Sequence, residues 1–200
     1  MKARKPAEDR KADILQTALR LAFDVGPDRV TTGQIADRLG LTQPAIYKHF
    51  SSKEDIWRAV ADHLAVRVEN LIRRTASLPP EPRLRALVLG HLRLVREAPA
   101  LPEIMVMRDI AGRQKAFRQQ MQNSMAAFRA ALTGAIDGMR NTGAMRADID
   151  AQDAAVLLLG VVQSLVLRLL VTRDTQPLLA DGERLLDLQI SVLAQNGEPA

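Results

Sequence analysis

The chain contains no cysteine among its 200 residues. Disulfides, thiolate nucleophiles and cysteine-ligated zinc are therefore excluded, and the composition suits a reducing compartment. Aromatic residues are nearly absent, at 3%: one Trp, one Tyr and four Phe. A core must then be built from Leu, Ala, Val, Ile and Met, and a hydrophobic content of 47% is enough for one. Histidine is also scarce, with His49, His63 and His91 the complete set. No Ser–His–Asp order, metal-ligand spacing or glycine-rich phosphate loop accompanies them. No catalytic residue, metal or cofactor is expected, and the chain does not read as an enzyme. The opening M-K-A-R-K-P-A-E-D-R-K is charged with no apolar segment behind it, so export is not expected and a cytoplasmic location is.

Strand-period alternation is missing too, and helical spacing takes its place. Ala12, Leu15, Ala18, Leu19 and Ala22 predict a helix near residues 8 to 25, stopped at Val25-Gly26-Pro27. Ile56, Val60, Leu64, Val68, Leu71 and Ile72 predict a long helix capped by Ser51 or Ser52 and ending before Leu78-Pro79-Pro80-Glu81-Pro82. Further helices are expected from Leu84 to Glu97, over 101–110, from about Arg113 to Arg140, from Asp150 onward, and from about Leu178 to Ala194. The fold class is all-α. The proline break divides it into a domain at 8–68, its long helix continuing to about 75, and a second domain at 82–196.

The run from Ala154 to Val171 is nearly long enough to span a membrane. Gln163, Ser164 and Arg168 interrupt it, and an arginine there costs about 2.5–3.5 kcal/mol on insertion scales. No membrane partner is expected. A helix apolar on most faces is instead covered on both sides in an assembly. Gly160 and Ser164, four apart, would admit another helix closely, with Leu167 on the same face.

Charge is uneven. Residues 1–75 hold 14 Lys and Arg against 10 Asp and Glu, while residues 76–200 hold 14 against 13. The excess lies in the N-terminal stretch, 1–75, that also contains T-T-G-Q-I-A-D-R-L-G-L-T-Q-P-A-I-Y-K-H-F-S-S-K-E-D-I, residues 31–56. Thr31 and Gln34 have the spacing of a capping box. Gly40 suits a left-handed helix end, and Thr42 with Pro44 suits the start of a second short helix. Ile35, Ala36, Leu39, Ile46 and Phe50 point inward, leaving Gln43, Ala45, Tyr47, Lys48 and His49 outside. Two short helices around a glycine turn, the second offering polar groups, match a DNA-reading helix-turn-helix.

Thr31, Ile35-Ala36, Gly40, Thr42, Ile46-Tyr47, His49-Phe50 and Lys53-Glu54, in this order and spacing, closely resemble the DNA-binding domain of TetR-type transcriptional regulators. The resemblance implies an N-terminal three-helix DNA-binding domain and a C-terminal helical domain for ligand binding and dimerisation. It also implies a repressor that binds a palindromic double-stranded DNA operator as a homodimer, the last two helices pairing with their copies. Gln43 is the candidate for base readout, because an amide pairs both ways with adenine N6 and N7. Pro44 and Ala45 suit thymine methyls. By resemblance, Gln43, Pro44 and Ala45 meet bases, and Thr32, Tyr47, His49 and Lys53 meet phosphates; Lys48 could do either. Gly33 stands where some relatives carry a base-reading arginine, which shifts weight to the recognition helix and to Lys2, Arg4 and Lys5.

In the second domain His91 falls on the inward stripe of Leu84, Leu87, Val88, Leu92 and Val95. It reads either as a hydrogen-bonded core histidine or as the polar anchor of a ligand cavity. Such a cavity would be lined by Val95, Met105, Met107, Met121, Met125, Phe117 and Phe128, since methionine suits adaptable apolar sites. With no Trp or Tyr after residue 57, an apolar or amphipathic effector is expected over a flat aromatic one. A protein of the same fold without a small-molecule effector, its second domain serving dimerisation or a protein partner, is the alternative.

Overall fold

The computed structural model describes residues 7–106 and 115–194, with backbone alone for 105–106 and 115–118. The arm carrying Lys2, Arg4 and Lys5, together with Met107 and the side chains of Met105 and Phe117, lies outside the described residues. The helices are α1 (Ala7–Val25), α2 (Thr32–Leu39), α3 (Gln43–Tyr47), α4 (Lys53–Thr75), α5 (Pro80–Glu97), α6 (Leu101–Val106), α7 (Lys115–Asn141), α8 (Ala151–Thr172) and α9 (Pro177–Leu193). A 3-10 turn, Pro27–Arg29, follows α1. Among the described residues there is no strand, only an isolated antiparallel bridge between Met145 and Ala194.

The described residues form two compact units, 7–65 with 98–106 and 115–122, and 66–97 with 123–194. This differs from the expected division at 8–68 and 82–196. The break falls inside α4 and α7, and the proline-rich stretch only separates α4 from α5. In the first unit, the buried face of α1 (Ile14, Ala18, Leu21, Ala22) joins Ile35, Ile46, Phe50, Ile56, Trp57 and Val60 in one core. Ala98, Ala100, Leu101, Ile104 and Met121 complete it. No local sequence signal marks that return of the chain.

The caps follow their chemistry. Thr31 Oγ accepts from Gln34 N at 3.1 Å, and Gln34 Oε1 accepts from Thr31 N at 2.9 Å, closing the capping box. Gly40 takes φ 65°, and Leu41 N reaches back to Ala36 O at 2.9 Å. Thr42 occupies the cap position of α3, but its hydroxyl makes no cap bond. Pro44 offers no amide hydrogen, and Ala45 N bonds to Thr42 O at 2.9 Å instead. Ser52 Oγ accepts from Asp55 N at 3.1 Å at the start of α4.

In the second unit α9 packs on α8 and α5. Its core holds Leu84, Leu87, Leu92, Phe128, Leu132, Ile136, Leu158, Leu165 and Leu186. Gly182 on α9 lets Leu92 approach so closely that an added Cβ would lie 2.3 Å from its Cδ1. Asp150 Oδ1 caps α8 by accepting from Gln152 N at 2.7 Å and Asp153 N at 3.2 Å.

Candidate nucleic-acid interface

Helix α3 is one turn and a half long, and Lys48 and His49 belong to the turn after it rather than to the helix expected through Phe50. His49 N and Phe50 N still bond back to Ile46 O, at 2.9 and 3.1 Å. Ile46 is wholly buried and Phe50 nearly so, and together they fix α3 onto α1, α2 and α4 within the first-unit core. Gln43, Pro44, Tyr47 and Lys48 are exposed; Ala45 and His49 are half-buried. The outward set of the sequence reading is thus exposed at Gln43, Tyr47 and Lys48, with Ala45 and His49 partly recessed.

Thr32 departs from expectation. The resemblance assigns it to a phosphate, yet it is 6% exposed and its hydroxyl is engaged within the motif. Gln43 Nε2 donates to Thr32 Oγ at 2.8 Å, and Tyr47 Oη lies 3.3 Å from the same oxygen. Three side chains spaced eleven and four residues apart therefore form one polar network. An i,i+11 bond has no local sequence signature; only the folded turn brings the first residue of α2 against α3.

Lys53, the first residue of α4, also has an internal partner. Its Nζ donates to Asp28 O at 2.9 Å, tying α4 to the 3-10 turn. Burial lowers its pKa from the ordinary lysine value, opposed by the charges of Asp28 and Glu54. One of its three ammonium hydrogens is used in this way, leaving the others for an outside acceptor.

The effector candidates are not all brought together. His91, Val95, Met125 and Phe128 belong to the second unit, whereas Met121 is buried in the core of the first. Helix α7 is long enough that its two halves serve different cores, which the single stripe of Met121, Met125 and Phe128 does not disclose. His91 stacks on Phe128 with ring centroids 4.7 Å apart and planes at 28°. One face of Phe128, a lining candidate for the cavity, is therefore taken. His91 Nδ1 is buried without a hydrogen-bond partner, and burial lowers the imidazole pKa to about 4. The hydrogen-bonded core histidine is not what is found at that atom.

On α8, Gly160, Ser164 and Leu167 are all exposed, and a Cβ at Gly160 would meet nothing within 4 Å. Val156, Leu157, Leu167 and Val171 on α8, with Leu188 and Val192 on α9, are each more than half exposed. Beside Val156 an open groove of about 520 Å³ runs along Ala130, Thr133 and Gly134 of α7.

A helix-turn-helix with this core and this outward face can be compared with known proteins. Residues 14–60 match the family described as bacterial regulatory proteins, tetR family. Residues 80–180 match the tetracyclin repressor-like C-terminal domain. The chain belongs to the TetR family. Like other members it is a DNA-binding transcriptional regulator and not an enzyme. The HTH-type transcriptional regulator TtgR of Pseudomonas putida is 28% identical over 199 residues, covering 96% of this chain and 95% of that protein. Among solved structures, a putative regulator from Saccharomonospora viridis in complex with choline has a TM-score of 0.78 at 20% identity, covering 94% of this chain and 100% of that one. SmeT, the repressor of the Stenotrophomonas maltophilia multidrug efflux pump SmeDEF, has a TM-score of 0.68 at 23% identity, covering 95% and 93%. These two likenesses concern the fold. TetR-family regulators bind DNA operators and small-molecule effectors, typically as dimers.

Proposed function

We propose that this TetR-family chain is a cytoplasmic, homodimeric repressor that reads a palindromic operator with α3 and leaves it when a small apolar or amphipathic effector binds the second unit. The observation that carries the DNA reading is the exposed amide of Gln43 at the first position of α3, beside exposed Pro44, Tyr47 and Lys48. Gln43, Pro44 and Ala45 face bases, Tyr47, His49 and Lys53 face phosphates, and Lys48 can face either. The start of α2 meets phosphate through backbone N–H groups, the Thr32 hydroxyl being engaged with Gln43 and Tyr47. An amide presenting both a donor and an acceptor suits adenine in the major groove, and a dimer places two such helices on successive grooves.

Two copies are held through the exposed row of α8 and α9, with Gly160 and Ser164 at the closest approach and Leu167 beside them. The row runs continuously along one face of each helix, as a helix–helix seam requires. The effector chemistry rests on the second unit. With no Trp or Tyr there, Phe128 is the one phenyl ring in the second unit, too little to build an aromatic cage for a quaternary ammonium such as choline. His91, Val95, Met125 and Phe128 instead offer an apolar wall with one unpartnered imidazole nitrogen, which a neutral ligand with a single polar group would satisfy.

The His91–Phe128 stack also favours the second reading, a regulator of this fold whose second unit binds no small molecule, because the two rings already fill each other's faces. A thermal-shift screen of the full chain against apolar and amphipathic compounds, followed by operator release in a gel shift, separates the two. A compound that raises the melting temperature and releases DNA is expected. Stabilisation by none, with DNA binding intact, would select the second reading.

A further inference from the structure

The network at the start of α2 and α3 has a direction. Gln43 Nε2 gives a hydrogen to Thr32 Oγ at 2.8 Å, so Thr32 uses that oxygen as an acceptor. A hydroxyl carries one hydrogen of its own, and the neighbour within reach of it is Tyr47 Oη at 3.3 Å. Either oxygen of that pair can donate; where Tyr47 gives its phenolic hydrogen to a partner outside the protein, it accepts from Thr32. Tyr47 is 47% exposed, so such a partner can reach it. Thr32 itself is held firmly: it is 6% exposed and opens α2 directly after the capping box of Thr31 and Gln34.

The orientation of an amide decides what it can read. With nitrogen turned toward Thr32, Gln43 presents Oε1 and one N–H outward, which match the N6 donor and N7 acceptor of adenine. Turned over, with Oε1 toward Thr32, it presents two N–H groups, which match the N7 and O6 acceptors of guanine. The reversed amide needs a reversed chain: Thr32 would donate to Gln43, Tyr47 would donate to Thr32, and Tyr47 would meet an outside anion with a lone pair. A DNA phosphate on Tyr47 therefore favours the first arrangement and opposes the second. We infer that Thr32 and Tyr47 are positioning residues that lock the Gln43 amide nitrogen-inward and so set adenine over guanine at the base Gln43 reads. The phosphate grip of Tyr47 and the base choice of Gln43 are two ends of one hydrogen-bond chain. This rests on Gln43 being the base-reading residue proposed above.

The test uses the full-length protein and a randomised duplex library to obtain a preferred site, then duplexes carrying adenine or guanine at each half-site position. The unaltered protein should prefer adenine at one position per half-site by about 5- to 150-fold. Gln43→Ala should abolish that preference. Tyr47→Phe and Thr32→Val should lower the adenine-to-guanine ratio toward equal binding at that position alone, and Thr32→Ser should restore it. A phenol–phosphate bond uncoupled from Gln43 would, on removal, weaken both duplexes alike and leave the ratio unmoved, so a change in the ratio reports the coupling. Tyr47→Phe, at an exposed site that keeps the ring, decides the matter if Thr32→Val melts early. Preference unchanged in Gln43→Ala would overturn the base reading and this inference with it. Preference lost in Gln43→Ala but kept in both Tyr47→Phe and Thr32→Val would overturn the inference alone.

Discussion

Replacing His91 with phenylalanine is expected to stabilise the protein at neutral pH and to flatten its response to acid. The imidazole stacks on Phe128 at 4.7 Å, a geometry a second phenyl ring can keep. Its Nδ1 is buried with no partner, which costs about 1–3 kcal/mol relative to an apolar atom in the same place. The slightly larger ring returns part of that as crowding, so a net gain on the order of 1 kcal/mol is expected at pH 7.5. The acid limb is sharper. Desolvation alone lowers the His91 pKa from 6.5 to about 4. Between those values the unfolded chain binds a proton that the folded chain refuses. Stability from the neutral imidazole is therefore complete above about pH 6.5 and is lost as pH falls toward 4. At about 1.4 kcal/mol per pH unit the loss is at most about 3.5 kcal/mol, somewhat less because part of the residue remains accessible. Urea unfolding followed by circular dichroism at pH 7.5, 6, 5 and 4.5 should show the unaltered protein losing about 2–3 kcal/mol more than His91→Phe. Carboxylates, His49 and His63 are common to both proteins and cancel in the difference. Equal losses in the two would refute the argument that this imidazole is held neutral by burial.

Operator affinity should fall by about 10³–10⁵ between 50 and 200 mM salt if about 6–10 phosphates are contacted per dimer, and a nearly flat gel-shift titration would contradict that. Lys53→Ala should weaken binding to all sequences alike and reduce the salt slope by about 1 per half-site. Because Lys53 also bonds Asp28 O, the same variant should melt slightly earlier, and a variant with unchanged melting and unchanged slope would show the ammonium to be idle. Gly160→Leu should leave the single chain as stable as before or about 0.5–1 kcal/mol more so, since nothing lies within 4 Å and leucine is the better helix former. Its effect should appear in sedimentation as a shift from dimer to monomer, and an intact dimer at low concentration would remove Gly160 from the interface.

What can be read from the sequence is what neighbouring residues decide among themselves. The capping box of Thr31 and Gln34, the left-handed turn at Gly40 and the cap of α8 by Asp150 are bonds over five residues or fewer, and all are legible. The inward faces of α2 and α3 follow from helical spacing. Thr42 shows where such reading fails: residue type and position are right for a cap, but its own carbonyl competes successfully for Ala45 N. The Thr32–Gln43–Tyr47 network fails for a different reason, since it exists only because the turn at Gly40 folds α2 and α3 together. Met121 groups with Met125 and Phe128 in the sequence because they share a stripe of α7. Periodicity says which face is buried and not which core buries it, so a helix running through two units is read as if it served one.

Six of the ten exposed large hydrophobic residues among the described residues lie in the row on α8 and α9. Helix α8 is long and apolar enough to cross a membrane, so two surroundings compete for it. One side is already packed, through Ala154, Leu158, Val162, Leu165 and Leu169. Arg168 is paired with Asp181, which also holds Arg184. Lipid would strip that charge cluster and face only half of a helix already committed to protein contacts. A second copy would meet no such penalty, because the proposed seam, centred on Gly160 and Ser164, would leave Arg168 at its edge. Val156, Leu157, Leu167, Val171, Leu188 and Val192 are 57–77% exposed. Covering what remains of each gains about 1–2 kcal/mol, or about 12–24 kcal/mol over two copies. Association itself costs about 4–15 kcal/mol, so the surplus is on the order of 10 kcal/mol, within the micromolar to nanomolar range. A seam so balanced is sensitive to close approach at its centre. Leucine at Gly160 costs about 1–3 kcal/mol in each copy, twice over by symmetry, and that is enough to move dissociation by about 30-fold or more.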